Sequence, residues 1–186
     1  GGDWYNDPSA LPNLLTFIRD HTNIVTASDE KKLSIMSEEL YTYPLLFMTG
    51  HGKIVFSEEE AKRLRNYLEK GGFLYADDDY GMDKYFREEM KKVFPNKELV
   101  EIPFSHPIFH SHYKFPKGLP KIHEHDGGPP QAFGIFHEGR LVVFYSFNTN
   151  ISDGWPDPQI HGDPEEVRTK AFEMGTNIFV YALVYQ

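Results

Sequence analysis

The stretch from Tyr43 to Asp79 constrains the fold more than any other part of this chain. Leu45-Leu46-Phe47-Met48 is an unbroken apolar run of the length and composition of a buried strand. The glycine-flanked segment Thr49-Gly50-His51-Gly52 follows it. Ser57-Glu58-Glu59-Glu60 then has the form of a capping box, in which the Ser57 hydroxyl accepts from the Glu60 N–H and the Glu60 carboxylate reaches back. Ala61, Leu64 and Leu68 recur on one helical face, and Gly71-Gly72 closes the helix. Phe73-Leu74-Tyr75-Ala76 is a second buried run, and it leads into Asp77-Asp78-Asp79. Strand, helix and strand in this order form a βαβ unit, whose two strands lie parallel. Both expected strands end in polar residues, and open α/β sheets bind ligands outside the carboxyl ends of their strands.

The rest of the chain fits around this unit. Asp7-Pro8 has the pattern of a helix start, with Leu11, Leu14, Leu15 and Ile18 on the buried face. Residues 23–27 should be extended, and residues 33–36 fit either a short strand or an irregular lead-in. Residues 81–94 form a second helix with Phe86, Met90 and Val93 inward, stopped by Pro95. A strand is expected over 99–102. Residues 103–130 are rich in Pro, His and Gly and read as a long loop or insertion. Residues 132–147 read as a β-hairpin turning at His137-Glu138-Gly139-Arg140. Residues 148–162 are a turn-rich connector. Asp163-Pro164-Glu165-Glu166 opens a last helix with Val167, Ala171, Met174, Ile178 and Ala182 on its apolar face. No repeat or linker divides the chain. The expectation is one α/β domain over residues 1–186, a three-layer sandwich with a mainly parallel central sheet. The chain opens abruptly at Gly1-Gly2-Asp3-Trp4, so a first strand or an export signal is expected upstream.

Charge and composition remove several functions. With 19 basic and 28 acidic residues the net charge is -9, which offers no footprint for nucleic acid or an anionic membrane surface. The absence of cysteine excludes disulfides, thiolate metal sites and a cysteine nucleophile. No apolar run approaches the roughly 18 residues of a membrane span, so no transmembrane segment is expected.

The polar strand ends carry the candidate chemistry. Asp77-Asp78-Asp79 brings like charges together, and a divalent cation held by Asp77 and Asp78 would offset them. One of these carboxyls with a raised pKa would serve as a general acid or base. The plainer alternative is a turn in which one Asp caps the next helix. Gly50 and Gly52 allow close backbone approach to a ligand, with His51 as an acid/base group or ligand contact. A tight turn with a hydrogen-bonded histidine is the competing reading. His110-Ser111-His112 and His123-Glu124-His125 alternate and could together bind Zn²⁺, but they match no zinc signature and read better as loop histidines. No nucleophile elbow marks a serine hydrolase. Trp4 and Trp155 either wall a pocket or plug the core.

Gly2-Asp3-Trp4-Tyr5, Leu11-Pro12-Asn13-Leu14, Tyr43-Pro44, Thr49-Gly50-His51-Gly52, Leu64-Arg65, Gly71-Gly72-Phe73-Leu74, His106-Pro107-Ile108-Phe109 and Asp153-Gly154-Trp155 form an ordered set that spans nearly the whole chain. In this it resembles the bacterial family known as domain of unknown function 4159. The resemblance implies a flavodoxin-like sandwich of the class I glutamine amidotransferase type, in exported or periplasmic proteins of the cell envelope. It supplies no activity. In those amidotransferases a cysteine follows a strand of the Gly-Gly-Phe-Leu type. Asp77 and Asp78 stand there instead, which removes thioester chemistry. The leading expectation is therefore a binding module for a small polar or anionic ligand, such as a sugar or peptide. Its expected site residues are Asp3, Trp4, Gly50, His51, Gly52, Asp77, Asp78 and His106. A metal-assisted or carboxylate-based hydrolase and a structural domain docking another envelope protein are the alternatives. A divalent cation is the one cofactor that this pattern raises.

Overall fold

The computed structural model describes residues 7–124 and 127–185. Asp3, Trp4 and His125 lie outside the described residues.

The first helix, α1 (Ala10–His21), buries Ala10, Leu11, Leu14, Leu15 and Ile18. It starts later than the Asp7-Pro8 pattern predicts. The Asp7 carbonyl accepts the Ala10 N–H at 2.9 Å as a turn, and the Ser9 hydroxyl accepts the Asp157 N–H at 3.1 Å. Residues 23–36 form neither strand nor helix. A 3-10 helix over Glu38–Thr42 then leads into β1 (Leu45–His51), α2 (Glu58–Glu69) and β2 (Phe73–Tyr80). Both halves of the capping box are present, with Glu60 N to Ser57 Oγ at 3.1 Å and Ser57 N to Glu60 Oε2 at 2.8 Å. After β2 come α3 (Asp83–Val93), β3 (Val100–Glu101), β4 (Gln131–His137), β5 (Arg140–Phe147), the short α4 (Pro158–His161) and α5 (Glu165–Val184).

The five-stranded sheet has the order β1-β2-β5-β4-β3. As the βαβ pattern requires, β1 and β2 are parallel neighbours, with Leu45 opposite Phe73 and Thr49 opposite Asp77. The parallel strand β5 lies on the other side of β2. β4 runs against β5 and β3, so the sheet is mixed. The β4–β5 hairpin turns through Glu138 at φ 50° and Gly139 at φ 84°. Two consecutive positive φ values match the right-handed twist of the flanking strands. Ile135 pairs with Val143 but Phe136 with Leu141, which leaves Val142 as a bulge residue. The bulge puts Leu141 and Phe144 on one face of the sheet, and Val142, Val143 and Tyr145 on the other.

Helices cover both faces. Leu14 and Ile18 of α1, with Met174 and Ile178 of α5, pack against Phe73, Tyr75 and Phe144. Leu64 and Leu68 of α2, with Phe86 and Met90 of α3, pack against Leu74, Ala76 and Tyr145. Adjacent residues of β2 thus serve opposite layers, as the two-residue period of a strand dictates. The 103–124 segment lacks strands, and α5 anchors it. The buried Asn177 side chain accepts the N–H groups of His112 and Tyr113 at 3.0 and 2.7 Å and donates to the Tyr113 carbonyl at 2.9 Å. Among the described residues no helix is long and apolar enough to cross a membrane.

Candidate functional site

The carboxyl ends of β1, β2 and β5 meet at one edge. Asp77, Asp78 and Asp79 are 0%, 6% and 8% exposed, so each must find donors within the protein. Alternation sends Asp77 and Asp79 to one face of β2 and Asp78 to the other. Ser146, opposite Asp77 on β5, donates its hydroxyl to Asp77 Oδ1. The Ser152 N–H donates to Asp77 Oδ2 at 2.7 Å, and the Tyr75 hydroxyl sits 3.0 Å from Ser146 Oγ. Burial pushes the Asp77 carboxyl up to about 7, and the Ser146 and Ser152 donors oppose that rise. Asp78 accepts the Met82 N–H at 2.9 Å and so caps the start of α3. Because Asp77 and Asp78 point to opposite faces, a cation shared by these two carboxylates does not fit.

Asp79 is the carboxylate that meets the histidine. Its Oδ2 lies 2.8 Å from His51 Nε2, and the His51 side chain is 44% exposed. Its Oδ1 accepts from Asn150 Nδ2 at 2.6 Å. The segment expected as a glycine loop is mostly strand, since β1 continues to His51. The register shifts between Gly50 and His51, placing His51 opposite Tyr80. Gly52 donates its N–H to the Tyr80 carbonyl at 3.0 Å. Its amide therefore extends the strand pairing and does not join an anion nest. Tyr80 itself is 55% exposed beside His51.

The chain beyond β5 completes this edge. Asn148 and Asn150 take left-handed backbone conformations, at φ 57° and 52°, which asparagine tolerates better than most residues. They deliver a 3-10 turn, Ile151–Gly154, whose Ser152 amide meets Asp77. Trp155 then fills the core. It is fully buried, donates Nε1–H to the Ala171 carbonyl at 3.0 Å and packs on Phe47. A Cβ on Gly175 would come within 2.9 Å of its ring. Trp155 is a core plug and walls no pocket.

A second polar cluster adjoins the first through Asn150, whose Nδ2 also donates to Asp153 Oδ2 at 2.6 Å. His123 lies between two carboxylates, with Nδ1 at 2.9 Å from Asp153 Oδ2 and Nε2 at 3.0 Å from Asp163 Oδ1. The Asp153 hydrogen bond, against the effect of burial, raises His123 to about 9. His161 Nε2 is 2.7 Å from Asp7 Oδ2 and 3.8 Å from Asp153 Oδ1. His123 is thus no solvated loop histidine.

His106 stands elsewhere. It contacts Phe136 and Tyr181, near the start of β5 and so at the opposite end of the sheet from His51. Its Nδ1 accepts the Ile108 N–H at 3.3 Å, and burial lowers its pKa. A concavity of about 240 Å³ also opens at that far end, lined by Tyr41, Tyr43, Tyr67 and Lys70. It holds no carboxylate or imidazole.

The structure brings together Gly50, His51, Gly52, Asp77 and Asp78, and adds Asp79 and Asn150 to them. Asp7, Asp153, His161 and Asp163 escape sequence reasoning as ligand candidates because no spacing rule joins them. The signals that could have pointed to them are the two asparagines after β5 and the Asp153-Gly154-Trp155 motif.

The chain matches the family described as domain of unknown function 4159 over residues 1–183, and it belongs to that family. A comparison with curated proteins finds no match.

Proposed function

Starting from that family membership, we propose that the domain is an amidotransferase-like, flavodoxin-like binding module that lacks the cysteine nucleophile. It takes a small polar ligand at the carboxyl edge of β1 and β2. A neutral sugar is the favoured class. The observation that carries this reading is the oriented His51–Asp79 pair, 2.8 Å apart, beside the exposed Tyr80 ring. An imidazole held by a buried carboxylate presents a fixed polar group, and an exposed aromatic face stacks on the apolar face of a pyranose. Anionic ligands are disfavoured, because the Asp79 carboxylate lies against His51 and Asp153 adjoins it through Asn150. Asp77 is fully buried and serves as scaffold, out of reach of a ligand. The parallel β1-β2-β5 core supports the amidotransferase-like reading of the fold.

Thermal-shift titrations with N-acetylglucosamine, glucose, D-alanyl-D-alanine and phosphate, each at millimolar concentration, test this. A ligand that binds only the folded state raises Tm. A sugar should raise Tm in the native protein, and neither His51→Ala nor Tyr80→Ala should respond. A response confined to phosphate, a sugar response retained by both variants, or no response at all would refute the proposal.

A further inference from the structure

We propose that His123, Asp153 and His161 form a site for a divalent transition metal, with Zn²⁺ the fitting ion. One ligand atom from each of His123, Asp153 and His161 lies within 4.8 Å of the others. Bonds of about 2.0 Å in a tetrahedral site place ligand atoms about 3.3 Å apart. His123 Nδ1 lies 2.9 Å from Asp153 Oδ2 and His161 Nε2 lies 3.8 Å from Asp153 Oδ1, so the two imidazoles approach the two oxygens of one carboxylate at spacings on either side of that distance. Asp7 Oδ2, 2.7 Å from His161 Nε2, stands next to these three but outside the group in mutual reach, so a water would take the fourth position. Two imidazole nitrogens with carboxylate oxygens suit Zn²⁺, whereas Mg²⁺ and Ca²⁺ prefer oxygen alone.

The surroundings are those a metal site requires. Asp163 lies 3.0 Å from His123 Nε2, so it would keep the proton on that nitrogen and leave Nδ1 to the metal once the ion displaces the Nδ1 proton. The Asn150 amide orients the Asp153 carboxylate, donating to it at 2.6 Å. Asp153 sits on a turn pinned by Ser152 to Asp77 and by the buried Trp155. α4, which carries His161, is preceded by Asp157, whose carboxylate accepts from Asn13 at 3.0 Å. Asp7, Asp153 and Asp163 surround two imidazoles, and a dication offsets most of that negative charge. The ion would tie the loop at His123 to the segment that carries Asp153 and His161, so its role is to hold the edge in place.

The test uses untagged full-length protein stripped with EDTA and titrated with Zn²⁺ against a chromophoric chelator. One equivalent should bind and raise Tm, and Co²⁺ should give the visible bands of tetrahedral coordination. His161→Gln and Asp153→Asn should each weaken binding at least about tenfold with an unchanged far-UV spectrum. If Asp153→Asn fails to fold, His161→Gln decides, since its side chain is 26% exposed on a short surface helix. His51→Ala and Tyr80→Ala should bind Zn²⁺ normally, which separates this proposal from ligand binding at the neighbouring edge. No binding, binding that leaves Tm unchanged, or full affinity in His161→Gln would overturn it.

Discussion

The β1–α2–β2 unit and the segment from Asn148 to Asp163 meet at the same sheet edge, yet different forces build them. The first is held by periodic apolar burial, a capping box and a parallel strand pairing. The second has only a 3-10 turn and a four-residue helix. Its place is set by side chains that reach across the chain: Ser152 to Asp77, Asn150 to Asp79, His161 to Asp7, and Trp155 in the core. Buried carboxylates on β2 thus do for the second region what backbone ladders do for the first. A polar residue at a strand end can therefore be structural and still frame a site.

Two substitutions sharpen this comparison. Trp155→Ala removes the largest apolar anchor of the second region and should cost about 3–5 kcal/mol, the range for buried aromatic truncation. Denaturant unfolding measures it, and a loss near zero would mean that the polar bonds alone hold the segment. In the first region, Ser57→Ala removes half of the capping box and should cost only about 1 kcal/mol. A loss as large as that of Trp155→Ala would show that the unit depends on its cap more than on its apolar stripe.

The same contrast explains what could be read from the sequence. Leu45–Met48, Ser57–Glu60 and Phe73–Ala76 carry their structural meaning within a few residues, so the parallel pair and its crossing helix were legible. The hairpin was legible through Glu138-Gly139. The roles of the three aspartates were not, because alternation assigns them to different faces and their donors lie far away. Asp77 and Ser152 are 75 residues apart, and Asp7 and His161 are 154 apart. Asp79, which meets His51, could not be told from its neighbours, because the register shift after Gly50 decides that pairing. His106 looked like part of the site only through its motif, and the fold carries it to the other end of the sheet. His123 was opaque for a similar reason, since its partner Asp163 is 40 residues away.

Asp77 is the buried carboxyl that holds the 148–155 segment against β2. The most direct test is the stability of the native protein and of Asp77→Asn measured from pH 4 to pH 8. The folded state raises this carboxyl from 3.8 to about 7, so folding favours its protonated form. Its contribution is fully present below about 4 and is lost as pH rises through about 7. His123, raised from 6.5 to about 9, adds a loss that begins above about 6.5, but it is common to both proteins and cancels in the comparison. Asparagine can still accept from the Ser152 amide and donate to Ser146, but it does not titrate. The native protein should therefore lose stability relative to Asp77→Asn as pH rises across this window. Parallel pH profiles, or a native protein that gains stability relative to the variant, would show an accessible, ordinary carboxylate and contradict the account.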